Sequence, residues 1–229
     1  MPDTTTWSQA ASCLTRNAYN YLRHPAYRHF PVVGVTREQA INYAKWRSDR
    51  VLERMLIEQK KIVYDAYQTG DDHFTIERYF RGEWKGMKPD PSVTYYPEFR
   101  LPSLEERSRI LHYSDSTNTA YFQHCRSSFC KACAAGFPGY RADVIPCLGD
   151  TMNGDPTRAV DLSCDAQGKR AILNLRGNVG EWTSTPGITV GGGWNDGCVR
   201  IMETDTFHLQ GTNAWTGFRN VCEWKKWGE

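Results

Sequence analysis

"NLRGNVGEWTST", residues 174–185, poses the question on which the reading of this chain turns. Gly177 and Gly180 flank an Asn-Val pair, and Glu181 is then held between Gly180 and Trp182. Glycine tolerates the left-handed backbone of tight turns, so the stretch reads as a constrained turn that carries one carboxylate. No acid or base partner follows closely in sequence. Read from the residues alone, its carboxylate accepts backbone N–H groups within the tight turn.

The residues around this turn set the fold class. Downstream, "ITVGGGWNDGCVRIMETDTFHLQGTNAWTGFRNVCEW" (188–224) reads as short strands separated by Gly and Asn turns. Upstream, "PVVGVTREQAINYAKWRSDRVLERMLIEQKK" (31–61) reads as an extended approach, Pro31 to Val35, followed by a helix. Thr36 and Gln39 form a capping box, and Ile41, Ala44, Val51, Leu52, Met55 and Leu56 make an apolar stripe at helical spacing. A short helix is expected from Thr75. Ser103 and Glu106 form a second capping box and start another helix. "KPDPSVTYYPEF" (88–99), with three prolines, reads as loop. From Ser114 to about Gly168 the chain is rich in Gly, Pro, Asn, Asp and Cys. The fold class is therefore α+β with little regular secondary structure. Its ordered loops must be fixed by hydrogen bonds, aromatic packing or metals.

Composition narrows the function classes. The 229 residues suffice for one sizeable core. A hydrophobic content of 40% with 13% aromatics excludes an intrinsically disordered chain. A net charge of +2, without a long basic run, gives nucleic-acid binding no support. No apolar run reaches the length of a transmembrane segment. The opening "MPDTTTWSQAASCL" lacks the basic and apolar regions of a signal peptide, so as written the chain is expected in the cytoplasm.

Five stretches, in order, carry a resemblance: "FPVVGVTREQAINYAKWR", "FRLPSLEER", "LRGNVGEWTS", "VGGGWND" and "TGFRNV". Together they resemble the formylglycine-generating enzyme, or sulfatase-modifying-factor, domain. That resemblance implies one domain over residues 1–229 with the formylglycine-generating-enzyme fold, related to C-type lectins. Residues 60–98 would be an insertion and residues 1–29 an N-terminal extension. The strands with which the family domain normally begins have no counterpart here, which would leave sheet edges open. "YLRHPAYRHFPVVGV" and "WRSDRVLERMLIEQK" are nearer to the gliding-motility lipoproteins J and K of type IX secretion. Carried over position by position, the family's calcium ligands become Asn174, Gly177, Val179 and Glu181. A second family calcium site has no match in the divergent 140–168 region.

The same resemblance argues against the family's oxidase chemistry. The two copper thiolates that follow the glycine motif fall on Asp196 and Ile201, and neither supplies the sulfur that Cu(I) requires. Cys198 lies between them, and a lone thiol does not restore a two-coordinate site. Copper is therefore not expected. "WND" at 194–196 is read as a core aromatic followed by a turn.

"HCRSSFCKAC" offers His124, Cys125, Cys130 and Cys133 among eight cysteines. Disulfides in an exported protein and a zinc site both suit Cys125, Cys130 and Cys133. A plant-type iron–sulfur spacing with Cys164 is treated as coincidence. His24, His29 and Asp71–Asp72 read as surface, packing or turn residues.

The expected function is that of a noncatalytic structural or interaction protein, a pseudoenzyme on this scaffold serving gliding motility or type IX secretion. Its expected partners are proteins of an exported or membrane-associated complex. The resemblance places it in the periplasm or on an outer-membrane lipoprotein anchor if a signal lies upstream. The aromatics of 60–98, namely Tyr64, Tyr67, Phe74, Tyr79, Phe80 and Trp84, are the expected contact surface, with packing against the domain as the alternative. Two rivals stand: a formylglycine-generating oxidase acting on sulfatases, and a lectin-like or diversified ligand-binding module using 196–216.

Overall fold

A computed structural model describes residues 1–10, 15–28, 30–113, 172, 175–196 and 206–229. Helices and short strands are mixed, with much irregular chain between them. The backbone divides into two compact units. One comprises Met1–Arg37 with Pro102–Arg219, the other Glu38–Leu101 with Asn220–Glu229. No described helix is long and apolar enough to cross a membrane.

The second unit is organised by helix α3 (Arg37–Glu58), which begins directly after Thr36 as the capping-box reading requires. Ala44, Leu52 and Leu56 of the expected stripe are buried, whereas Ile41 is 39% exposed. The buried face also carries three polar side chains, Ser48, Asp49 and Glu53. Each terminates backbone or side-chain groups of neighbouring loops. Ser48 Oγ donates to the Ala44 carbonyl at 3.0 Å and accepts the Phe99 N–H at 2.8 Å. Asp49 accepts the Ile76 N–H at 2.9 Å. Glu53 pairs with Arg50 at 2.7 Å and accepts from the Gln68 amide, whose oxygen accepts the Phe74 N–H at 2.7 Å. Buried polar groups persist only when paired in this way.

The segment after α3 differs from its reading as a contact surface. Phe74, Tyr79 and Trp84 are buried and join Leu52, Leu56, Ile62 and Ile76 in one hydrophobic cluster. Helix α4 (Ile76–Arg81) starts where expected, with Thr75 Oγ accepting the Arg78 N–H at 3.1 Å, and Gly82 closes it in a left-handed conformation. The Tyr79 hydroxyl accepts the Asp90 N–H at 3.0 Å. Removing residues 66–92 would thus remove half of this core, not a detachable surface. Tyr64 and Tyr67 stay outside, 68% and 89% exposed.

"TYYPEF" is strand, not loop. β1 (Tyr95–Arg100) pairs antiparallel with β6 (Val221–Lys226), Tyr95 opposite Lys226 and Arg100 opposite Val221. Trp227 N–H donates to the Thr94 carbonyl at 2.9 Å in the same register. Alternate pairs exchange hydrogen bonds in an antiparallel ladder. Tyr96, Glu98 and Arg100 therefore bond to β6, while Tyr95, Pro97 and Phe99 turn their backbone outward. Pro97 lacks a donor on the side where none is needed, and the outward Phe99 N–H is the one that meets Ser48.

The first unit holds helices α1 (Thr6–Ala10) and α2 (Thr15–Asn20) and a sheet of order β4-β3-β2-β5. Its strands are β2 (Gly180–Trp182), β3 (Ile188–Val190), β4 (Thr206–His208) and β5 (Thr216–Phe218). Trp7 and Tyr21, from the presumed N-terminal extension, are buried with Val33, Val179 and Ala214, so that segment is core material. Residues 104–113 form helix α5. Its capping box is complete: Glu106 N–H donates to Ser103 Oγ at 3.1 Å, and Ser103 N–H to the Glu106 carboxylate at 2.8 Å.

Burial pushes the Asp49 carboxyl above its ordinary value of 3.8, against the Ile76 hydrogen bond and nearby cations. A carboxyl raised on folding contributes most below its unfolded value, and that contribution is lost as pH rises through the raised value. Asp49→Asn retains the acceptor for Ile76 without a charge to desolvate. It should be neutral or stabilising at pH 7 and should lack this pH dependence. Asp49→Ala should cost about 1–3 kcal/mol by leaving the buried Ile76 N–H without its acceptor. Urea melts at intervals from about pH 3.5 to 7 check both.

Candidate functional site

The turn before β2 is built from two consecutive left-handed residues, Gly177 (φ 74°) and Asn178 (φ 61°). Asparagine is among the few side chains that adopt this region readily. The turn is stitched to the glycine motif downstream. Gly177 N–H donates to the Gly191 carbonyl at 2.8 Å, and Trp194 N–H to the Asn178 carbonyl at 2.9 Å. Gly191 itself is left-handed (φ 83°), and a Cβ there would stand 2.4 Å from the Leu175 carbonyl.

β2 then runs between β3 and β5, antiparallel to the first and parallel to the second. Glu181 lies opposite Gly217 on β5. Directly paired residues share a face of the sheet, as do residues two apart, so Arg219 reaches the same face as Glu181. Arg219 Nε donates to Glu181 Oε1 at 3.0 Å and Oε2 at 3.2 Å, and Nη2 to Oε1 at 2.8 Å. The Glu181 side chain is 6% exposed and that of Arg219 32%. The carboxylate holds the guanidinium pKa above its ordinary value. Gly217 itself is required, because a Cβ there would meet the Val32 carbonyl at 2.3 Å.

The other motif stretches close on this node. Trp182 Nε1 donates to the Val35 carbonyl at 2.9 Å, and Arg37 donates to the carbonyls of Thr183, at 3.0 Å, and Ser184. Ser184 N–H donates to the Pro102 carbonyl at 2.9 Å. Arg107, fully buried, donates to the Leu175 carbonyl. Asp196 accepts the Gly193 N–H at 2.8 Å and returns its own N–H to the Gly193 carbonyl at 3.0 Å, closing the turn after the glycines. Trp194 donates through Nε1 to the Ala214 carbonyl at 2.9 Å and stacks on Trp7 at 6.1 Å, the packing role read from sequence.

Of the expected calcium ligands, Gly177, Val179 and Glu181 are placed together, and Asn174 lies outside the described residues. The fit of this set to calcium is poor at its one charged member. Both Glu181 oxygens are engaged by a permanent cation, and a calcium ion on the same carboxylate would be set against the Arg219 guanidinium. Neither reading of Glu181 included Arg219. The sequence held the signal in the Arg of "TGFRNV", which was not joined to the carboxylate. Among the described residues no three His, Cys, Asp or Glu side chains gather as a metal site, although a calcium held by carbonyls needs no such cluster. His124, Cys125, Cys130, Cys133, Cys164, Cys198 and Ile201 lie outside the described residues, as does His29. His24 is exposed beside Tyr27.

No family model, curated protein or solved structure matches this chain.

If Arg219 is the cation that Glu181 binds, Arg219→Met should cost about 2–3 kcal/mol, below the 3–5 of a fully buried broken pair because Arg219 is partly exposed. Neither chelator nor added calcium should then move the wild-type unfolding midpoint. A midpoint that climbs with free calcium would place a metal on the carboxylate instead.

Proposed function

We propose that this protein is a noncatalytic interaction protein built on a formylglycine-generating-enzyme-like scaffold, with its role in the assembly of an exported protein complex of the gliding-motility or type IX secretion kind. The observation that carries the noncatalytic part is the use made of Asp196. It stands where the resemblance puts a copper thiolate, and its carboxylate instead closes a turn on the Gly193 N–H. The scaffold part is supported by the mutual contacts of the five motif stretches. Val35 and Arg37 meet Trp182, Thr183 and Ser184; Pro102 and Arg107 meet Ser184 and Leu175; Gly191 and Trp194 meet the turn at 177–178; Arg219 meets Glu181.

The interaction part rests on the apolar residues that the second unit does not bury. Val63, Tyr64 and Tyr67 are 84%, 68% and 89% exposed on one loop. Aromatic side chains of this kind anchor protein interfaces.

Two outcomes are expected. Copper-loaded protein given a cysteine peptide of the sulfatase type should form no aldehyde, as read by mass spectrometry. Tyr64→Ser/Tyr67→Ser, which touches no buried residue, should lose a partner that the wild-type chain retains in affinity purification, with an unchanged melting midpoint. Turnover of the peptide would overturn the noncatalytic reading. An identical set of partners would remove this loop from it.

A further inference from the structure

The two edges of the β1–β6 ribbon are unequal. β1 is closed on its outer side, because Pro97 has no N–H and Phe99 gives its own to Ser48 Oγ at 2.8 Å. β6 is open. The ladder parity fixed by the Trp227–Thr94 hydrogen bond turns the backbone N–H and C=O groups of Cys222, Trp224 and Lys226 away from β1. None of them has a backbone partner among the described residues. An open strand edge is a template for another strand, and an isolated two-stranded ribbon gains stability from a third.

From this edge we infer that β6 pairs with β6 of a second copy of the chain, antiparallel about a twofold axis at Trp224, to give a continuous four-stranded sheet. Three features select a second copy as the occupant. First, the outward residues are symmetric about Trp224. A ladder centred there puts Trp224 opposite Trp224 of the second copy and Cys222 opposite its Lys226, every such pair exchanging both backbone hydrogen bonds. Second, the intervening positions are complementary in charge. Glu223 of each copy, which pairs with Arg100 at 2.8 Å in its own chain, falls opposite Lys225 of the other, which pairs with Glu98 at 2.7 Å. The new contacts would extend these pairs into one network of alternating charge, and opposite charges directly across a ladder stabilise it. Third, Trp224 is 57% exposed in the single chain, and a twofold axis would place the two indoles on one face as neighbours. A strand from an unrelated protein would meet the open backbone equally well but would not match the Glu223–Lys225 order except by chance.

The inference adds self-association to the scaffold reading above and does not depend on it. Sedimentation equilibrium of the full chain in reducing buffer, which keeps the exposed Cys222 thiol from cross-linking, should show a mass rising with concentration from 26.2 kDa towards twice that value. Trp224→Pro removes the central outward N–H, as Pro97 does on β1, and spares the rungs to β1. It should stay at the single-chain mass. Charge variants keep the inference testable if that proline unfolds the ribbon. Lys225→Glu alone faces Glu223 with Glu, and Glu223→Lys alone faces Lys225 with Lys, so each should remain single. An equimolar mixture of the two should associate, because both pairs between positions 223 and 225 across the new ladder are then opposite in charge. Wild-type protein that stays single at all concentrations would overturn the inference. So would association unchanged by Trp224→Pro, or a mixture that behaves as the sum of its parts.

Discussion

A carboxylate in the middle of a sheet has to be neutralised, and the pairing of Glu181 with Arg219 is the constraint on which the rest of the first unit is arranged. Glu181 sits on β2, one of the two inner strands of the sheet. Left alone there it would be an unpaired buried charge, which costs several kcal/mol. The geometry of the answer is narrow. The parallel register of β2 and β5 sets Gly217 opposite the carboxylate and Arg219 two residues on, on the same face. A side chain at 217 would strike the Val32 carbonyl. One strand register therefore ties the ion pair, the glycine and the approach of the 31–35 segment together.

Around that pair the unit is held by loop hydrogen bonds as much as by sheet. β2, β3, β4 and β5 are three residues each, too short to stabilise one another through ladder bonds alone. What compensates is a set of side chains aimed at backbone carbonyls: Arg37, Arg107, Trp182 and Trp194 each donate to a carbonyl distant in sequence. Donors on long or rigid side chains can span loops that no regular element organises. The second unit solves the same problem in reverse. There the acceptors Ser48, Asp49 and Glu53 lie along one helix, and strand β1, the start of α4 and the Gln68 side chain bring their N–H groups to it.

Elements whose signal is local were legible in the sequence. The Ser103–Glu106 box and the Thr75 cap formed as read, because a cap is decided by a few consecutive residues. The α3 stripe was legible only in part. Hydrophobic period finds Ala44, Leu52 and Leu56, but it is blind to Ser48, Asp49 and Glu53, whose partners lie up to 51 residues away in the chain. β1 was hidden by Pro97, since a proline argues against a strand unless the parity of the ladder is known, and parity is a property of two strands. The aromatics of 60–98 were ambiguous for a related reason: Phe74 and Tyr67 are alike in composition, and only the fold decides that one is buried and the other exposed. At the candidate site the turn and its carboxylate were legible from "RGNVGE". The partner was not, because Arg219 is 38 residues away and nothing local ties it to Glu181.

Glu181 and Arg219 act as one unit. A double-mutant cycle measures this directly, with Glu181→Gln, Arg219→Met and the double variant compared with wild type by equilibrium denaturation at constant ionic strength. Coupled partners in contact give interaction energies of about 0.5–3 kcal/mol, and a mostly buried, bidentate pair belongs in the upper half of that range. A coupling of about 1.5 kcal/mol or more is the result this account predicts. Additive losses from the two single variants would contradict it, and would return Glu181 to a partner other than Arg219.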